Sequence, residues 1–518
     1  MDGAVILARE CDGYDRRMDS RVNPAGPLAA VDMGSNSFRV EIGQLPQGRY
    51  KRIDYQKETV RLGAGLDANG MLTEDAAQRG LACLRRFSAR LAGMQPGQVR
   101  AVATQTLREA RNRNAFLLRA QEALGFPIEV ISGREEARLI YAGVAHLQPG
   151  AAKRLVIDIG GRSTELILGQ AGKPQVTESF GVGCVSLSMR YFEGGRITAA
   201  AFRNAQVAAG AEFEEGLQPF APQHWTQALG SSGTAGAVSQ LLQAAGITDG
   251  RITPEGLRWL IERCIAAGHI DRIDLPGLKA DRRAVLPGGL AILYTLATHF
   301  QIDALQPAKG ALRQGVIIDL HDRLLAEGGG QGADLRDSTV DELQRRFNAD
   351  AGQAERVAAV ALTLFDSVMP DAITDTQREL AWACALHEIG QMVSHHDHHR
   401  HSAYLMAHVD APGFSQSQQR RIGELVLAQR GGLRKVEPQL ASETFAWQAL
   451  CLRLAVIKCH ARADLNPRAL NLRASGRDAL LSFGAQWTDA HPRTLFLLRE
   501  EAAAWGRSGP LRLVLPAL

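Results

Sequence analysis

Apolar and polar positions along this chain follow two rhythms. From Leu28 to about Leu325, short apolar runs alternate with longer amphipathic stretches, which predicts alternating strands and helices. Val99–Ala103 and Ile128–Ile131 read as buried strands. Thr73, Glu74 and Asp75 open a helix whose apolar positions Leu81, Leu84, Phe87 and Leu91 share one face; Ser132 opens another that runs to about His146. Thr253, Pro254 and Glu255 start a third. Past Gly328–Gly332, which reads as a flexible linker, the rhythm becomes helix after helix: Val340–Phe347, Ala354–Val368, Thr376–Ile389, Ser415–Leu427 and Thr444–Cys459. The tail returns to mixed structure, strand-like over Ala479–Gln486 and Leu511–Leu515 and helical over His491–Trp505.

The alternating region carries the same short phrase twice. Val31-Asp32-Met33-Gly34-Ser35-Asn36-Ser37 leads to Ile42-Gly43-Gln44, and Ile157-Asp158-Ile159-Gly160-Gly161-Arg162-Ser163 leads to Leu168-Gly169-Gln170. Each copy sets an Asp at the end of an apolar run, then a turn of small residues, then a second apolar run. That is a β-hairpin whose turn offers N–H groups and hydroxyls beside a carboxylate. Two copies imply a duplicated α/β lobe with a cleft between the lobes. There Gly34, Ser35, Asn36 and Ser37 would face Gly160, Gly161 and Ser163 across a phosphate, with Asp32 and Asp158 on a divalent cation, most simply magnesium. The plainer alternative is that each Asp only caps its own turn. Glu165 stands where the first copy has Arg39, which places Glu165 near metal or water and Arg39 near anion. Gly230-Ser231-Ser232-Gly233 is a third small-residue turn able to approach an anion.

The bulk numbers narrow the class. A chain of 518 residues with 45% hydrophobic and 22% charged positions exceeds one core and reads as several globular domains. A net charge of +4 is spread along the chain, and no basic stripe with interleaved aromatics argues for nucleic acid. The cysteines at 11, 83, 184, 264, 384, 451 and 459 form no C-x-x-C pair and read as reduced thiols, hence a cytoplasmic protein, at most peripheral to an inner membrane. No apolar run reaches the roughly 18 residues that span a bilayer. Residues 1–27 read as a disordered leader, with Met18 an alternative start.

Two charged residues have two readings each. Ser132 as helix cap puts Glu135 at the capping-box position and leaves Glu136 free, either as a general base on water or as a solvated first-turn acid. Arg108 follows a buried strand, where it suits a phosphate, or else pairs at the surface with Glu109 or Glu122. The stretch from Leu386 through His387, Glu388, His395, His396, His398, His399, His401 and His408 resembles the centre of the HD phosphohydrolase fold. Gln353, His387-Glu388 and Val456 stand at the metal-ligand positions, too few ligands for a catalytic metal. Arg400, Arg420, Arg421, Arg434 and Lys435 beside these histidines offer a track for an anionic chain.

Together the stretches Ala29–Arg39, Val102–Asn112, Ile131–Val144, Val156–Leu166, Phe180–Leu187, Ala228–Thr234 and Gly310–Val316, in this order, resemble the exopolyphosphatase / guanosine pentaphosphate phosphohydrolase family. The pattern is closest to its long proteobacterial exopolyphosphatases. The resemblance implies two actin-like (ribonuclease H-like) lobes over 28–147 and 148–326, an HD-like helical domain over 333–465 and a small α/β domain over 466–518. It implies Glu136 as catalytic base, Arg108 as phosphate ligand, and Asp32, Asp158 and Glu165 around a cation, magnesium or manganese, with a monovalent ion such as potassium as a further expectation. Arg162 replaces the usual third glycine of the second hairpin and becomes a candidate phosphate contact. The implied substrate is inorganic polyphosphate, with guanosine pentaphosphate as runner-up, in a homodimer. An ATP-dependent kinase and a non-enzymatic polyphosphate or alarmone sensor are the competing classes.

Overall fold

The first hairpin forms the middle of a sheet. Strand β1 (Leu28–Met33), buried along its whole length, pairs antiparallel with β2 (Ser37–Gln44), which pairs with β3 (Lys51–Thr59). Helix α1 (Glu74–Arg90) returns the chain to β4 (Val99–Ala103), parallel to β1. The short α2 (Gln105–Glu109) and α3 (Arg113–Leu124) lead to β5 (Ile128–Val130), and α4 (Gly133–Leu147) ends the lobe. The strand order is β3-β2-β1-β4-β5, with β2 alone running against the rest.

The second hairpin repeats the pattern. It comprises β6 (Arg154–Ile159), β7 (Thr164–Gln170) and β8 (Lys173–Phe180), followed by α5 (Cys184–Tyr191) and α6 (Ala199–Phe213). Then come β9 (Gln227–Ser231), α7 (Ser232–Ala244), α8 (Pro254–Ala267), α9 (Leu286–His299), β10 (Leu305–Pro307) and α10 (Leu312–Glu327). The order β8-β7-β6-β9-β10, with β7 alone reversed, matches the first sheet strand for strand. Register matches too: Asp32 lies across from Arg39, and Asp158 across from Glu165. The sequence repeat is a structural repeat, and the two lobes share the one sheet topology expected of a duplicated fold.

Each lobe has its own core, around Phe38, Leu84 and Phe87 in the first and Phe202, Phe213 and Leu290 in the second. A further cluster joins them, in which Val102 and Val156 from the two sheets meet Ile140, Tyr141, Val316 and Ile317 of α4 and α10. The two helices approach at backbone distance. A Cβ on Gly315 would fall 1.8 Å from the Leu139 carbonyl oxygen and one on Gly143 2.4 Å from that of Ala311, so only glycine fits. A buried ionic cluster pins the same crossing: Asp319 accepts from Arg100 and Arg138, each at 2.6 Å, and from Arg323 at 2.8 Å. Burial pushes the Asp319 carboxyl up, but the combined pull of Arg323, Arg138 and Arg100 outweighs it and holds the group well below the usual carboxylate range.

The computed structural model describes residues 23–328, 334–463 and 466–516. Met18 and most of the expected leader lie outside the described residues, as does the linker beyond Gly328. The lobes belong to one compact unit and the residues from 334 onward to another. In that second unit α11 (Leu335–Arg346), α12 (Ala351–Val368), α13 (Thr374–Leu386), α14 (His398–His408), α15 (Gln416–Ala428) and α16 (Glu443–Lys458) follow one another. Then β11 (Asn471–Ser475), β12 (Asp478–Ser482), α17 (Ala485–Ala490), α18 (Pro492–Ser508) and β13 (Arg512–Val514) form a small end. Leu472, Leu481 and Trp505 of that end share one core with Phe365 and Trp447 of the helices. Several elements of this unit depart from the sequence reading. The helix expected through Ile389 stops at Leu386 and tightens into a 3-10 turn, α14 and β11 are additional, and β12 ends before Gly484. Among the described residues no helix is long and apolar enough to cross a membrane. Cys83, Cys184, Cys264, Cys384, Cys451 and Cys459 are free and buried.

Candidate active site

Both hairpin turns and the first turn of α4 open onto one cleft of about 640 Å³. Of the residues singled out from sequence, Asp32, Gly34, Ser35, Asn36, Ser37, Arg39, Glu136, Asp158, Gly160, Gly161, Ser163, Ser232 and Gly233 line it. The turns touch each other: a Cβ on Gly161 would lie 3.0 Å from that of Ser35 and 3.2 Å from the Asn36 nitrogen.

Glu136 reaches the cleft because Ser132 caps α4, accepting the Glu135 N–H at 3.1 Å, which aims the next carboxylate inward. Glu135 itself grips Arg138 at 2.7 and 2.8 Å and so feeds the ionic cluster. Glu136 is 8% exposed. Burial pushes its carboxyl up to about 7, against the pull of Arg108 and with Asp158 and Asp32 adding to the rise. Arg108 Nη1 donates to Glu136 Oε2 at 2.9 Å and to the Ile131 carbonyl at 3.0 Å, while its Nε donates to Gln105 at 2.9 Å. Its Nη2 is buried and makes no hydrogen bond among the described residues, and the Ser37 hydroxyl on the cleft wall is in the same state. Buried donors without acceptors mark where a ligand's oxygens belong.

The other acids divide into two kinds. Asp32 is engaged by Arg39 at 3.1 Å and Arg313 at 3.5 Å. Asp158 and Glu165 stand side by side on β6 and β7, with no arginine or lysine bonded to them among the described residues. Burial raises the Asp158 carboxyl against the hydroxyl of Ser232 and the charge of Arg39. Burial and then the neighbouring Glu136 and Asp158 charges hold Glu165 well above the ordinary range, and it accepts from Ser179 at 2.8 Å. Like charges crowded this way favour a cation between them. Among the described residues no three His, Cys, Asp or Glu side chains form a ready cage. Magnesium is an ion that takes one or two carboxylates together with phosphate oxygens and water, and Asp158 with Glu165 would be the donors for it here.

Several expected contacts sit elsewhere. Glu165, Arg108, Arg162, Gly230 and Ser231 are not on the cleft wall. Ser231 bonds the Gly310 carbonyl at 3.1 Å, and Gly230 packs against Ala235 and Leu305, so both position the third turn rather than face an anion. Within that turn Ser232 adopts a left-handed φ of 60°, a strained conformation for serine, and bonds the Ile159 carbonyl at 3.3 Å. Arg162 pairs with Glu109 at 2.6 Å and is committed away from the phosphate turn.

The wall also carries residues that sequence reasoning did not name: Thr104, Cys184, Thr234, Arg282 and Arg313. Arg282 lies over Gly233, where a Cβ would be 2.1 Å from its Nη2. Arg313 is anchored by Glu41 at 3.1 Å, and Glu41 also accepts from Gln314 at 2.7 Å and Tyr50 at 2.5 Å. A signal existed for Arg313, which stands inside the Gly310–Val316 stretch; none existed for Arg282.

In the helical unit the HD-like positions are occupied by protein contacts. His387 is 2% exposed and its Nδ1 lies 2.7 Å from the Cys384 carbonyl. Gln353 donates to the Cys459 carbonyl at 2.9 Å, and Glu388 is held by Arg462 at 2.6 Å. Arg421 is tied to Glu379 at 2.7 Å, which removes it from the expected anion track.

Comparison with known proteins supports the same architecture. A sequence model of the Ppx/GppA phosphatase family matches residues 43–324, and one of Ppx/GppA phosphatase domain III matches residues 335–502. Among solved structures, an exopolyphosphatase-like protein is 24% identical and covers 58% of this chain and 98% of its own, with a TM-score of 0.53. An exopolyphosphatase from Cytophaga hutchinsonii is 23% identical over 57% of this chain and 98% of its own, also with a TM-score of 0.53. The Aquifex aeolicus PPX-GPPA enzyme is 23% identical over 56% of this chain and 98% of its own, with a TM-score of 0.48.

Proposed function

The chain belongs to the Ppx/GppA phosphatase family and is a phosphoric anhydride hydrolase, and on that premise we propose that it releases terminal orthophosphate from inorganic polyphosphate. The observation that carries this reading is the position of Glu136, on the wall of the cleft that both phosphate-type turns share and 2.9 Å from Arg108.

The terminal phosphoryl group sits between the turns at Gly34–Ser37 and Gly160–Ser163, where backbone N–H groups face its oxygens. Arg39, Arg282 and Arg313 neutralise its charge, and the unpartnered Ser37 Oγ donates to a further oxygen, while Arg108, off the wall, acts through its bond to Glu136. Asp158 on the wall, with Glu165 beside it on β7, would hold magnesium, and the ion would supply charge neutralisation. Glu136 takes a proton from the attacking water, its Oε2 fixed by Arg108. Water's oxygen bonds to the terminal phosphorus, the bond to the bridging oxygen breaks, and the chain leaves one phosphate shorter. Phosphoryl transfer needs mainly positioning and charge stabilisation, which this cleft provides. Within the helical unit, Arg400, Arg420 and Arg434 are exposed cations of the kind that attract an anionic chain.

Timed phosphate release from long polyphosphate, short polyphosphate and guanosine pentaphosphate, each with and without magnesium, tests the assignment. The expected result is magnesium-dependent release that is fastest on the long chain. Faster release from guanosine pentaphosphate would move the assignment to the alarmone, and binding without turnover would make the protein a sensor.

A further inference from the structure

Arg162 occupies the tip of the second hairpin turn, yet its guanidinium points away from the phosphate and across to the other lobe. Nε and Nη2 both reach Glu109 Oε2, at 2.8 and 2.6 Å, and Nη1 donates to the Gly63 carbonyl at 3.1 Å. Both partners lead on to the active site. Gly63 donates its own N–H to the Ser35 carbonyl at 2.7 Å, inside the first hairpin turn. Glu109 Oε1 accepts from Gln105 at 2.6 Å, Gln105 Oε1 accepts from Arg108 Nε at 2.9 Å, and Arg108 Nη1 holds the catalytic carboxylate at 2.9 Å. An unbroken run of hydrogen bonds therefore joins the second phosphate turn to Glu136 by way of the short helix α2.

We propose that Arg162 is a positioning residue that couples approach of the two lobes to alignment of the catalytic base, through the relay Arg162–Glu109–Gln105–Arg108–Glu136. The proposal rests on the hydrolytic reading above. Three features support it. First, Arg162 and Glu109 belong to different lobes, so the first link exists only when the lobes are together. Second, the relay uses both Nε and Nη1 of Arg108, so its bond to Gln105 fixes the orientation of the guanidinium that holds Glu136. Third, the Arg162–Glu109 pair is partly exposed and lies outside the buried cluster that joins the lobes, so it can be changed without opening that core. A phosphate-contacting role would require the guanidinium in the cleft, where it is not.

Steady-state phosphate release from long polyphosphate is measured for wild type, Arg162→Ala, Glu109→Gln, the double variant and the exchanged pair Arg162→Glu with Glu109→Arg. Arg134→Ala, which cuts another ion pair between the lobes, that to Glu178 at 2.6 Å, serves as comparison. The relay predicts that kcat falls on the order of tenfold in each single variant with KM little changed. It also predicts that the double variant loses no more than either single one, that the exchanged pair regains some of the loss, and that Arg134→Ala stays within about twofold. Additive losses, a rise in KM alone for Arg162→Ala, or an equal loss in Arg134→Ala would overturn the relay. Glu136→Gln is run in parallel. If it keeps turning over, the assignment of Glu136 as base, on which the relay rests, has failed; if it is inactive while the cycle is additive, only the relay has.

Discussion

At the scale of single residues, burial decides what spacing left open. Glu135 and Glu136 are neighbours on one helix turn, and the Ser132 cap assigns the first to the capping box and leaves the second between general base and solvated first-turn acid. Only the fold shows Glu135 spent on Arg138 and Glu136 turned into the cleft. Arg108 forms neither of the surface pairs offered for it: it goes inward to Glu136, while Glu109 pairs with Arg162. Arg282 was not legible because its placement depends on Gly233, distant in sequence, and Arg313, although inside a recognisable stretch, takes its place on the wall only through Glu41. A base works only when unprotonated, and burial has moved the Glu136 carboxyl up to about 7. Activity must therefore rise with pH through neutrality and level off above it. A profile of kcat/KM from about pH 5 to pH 9 checks this; an acid limb near the ordinary glutamate value of about 4.3 would contradict it.

Among the elements, those with strong local signals were legible and those set by packing were not. The helix opened by Ser132 and the strands at Val99 and Ile128 fall where periodicity and caps place them. Helix α14 escaped notice because its histidines give no apolar stripe; it is held by burial of His398, His399, Ser402 and Met406. The crossing of α4 with α10 could not be read either, since it depends on glycine meeting backbone and on Asp319 meeting arginines far away in sequence. Replacing Asp319 with Asn leaves buried arginines facing each other and should cost about 3–5 kcal/mol. The pH sign follows from the lowered carboxyl. Asp319 contributes its full stability above the unfolded aspartate value of about 3.9 and loses it as pH falls from there toward the folded value. Urea unfolding at neutral and acid pH should therefore show wild type losing stability below about pH 4 and Asp319→Asn losing less over the same interval. A parallel decline in both would remove Asp319 from the account.

On the scale of the whole molecule, the duplication explains why one chain has two phosphate turns and a cleft between them. The repeat was legible because each turn is built from residues adjacent in sequence, and the matching sheets confirm it. The shared cluster around α4 and α10 was not, because it collects one face from each lobe. The consequence is that the base and the phosphate-holding turns come from different elements, assembled only in the folded pair of lobes. The most direct measurement is a comparison of wild type with Glu136→Gln, reading phosphate release and polyphosphate binding on the same preparations. Release should fall on the order of 10²–10⁴-fold while binding is kept; release within a few-fold of wild type would contradict the account.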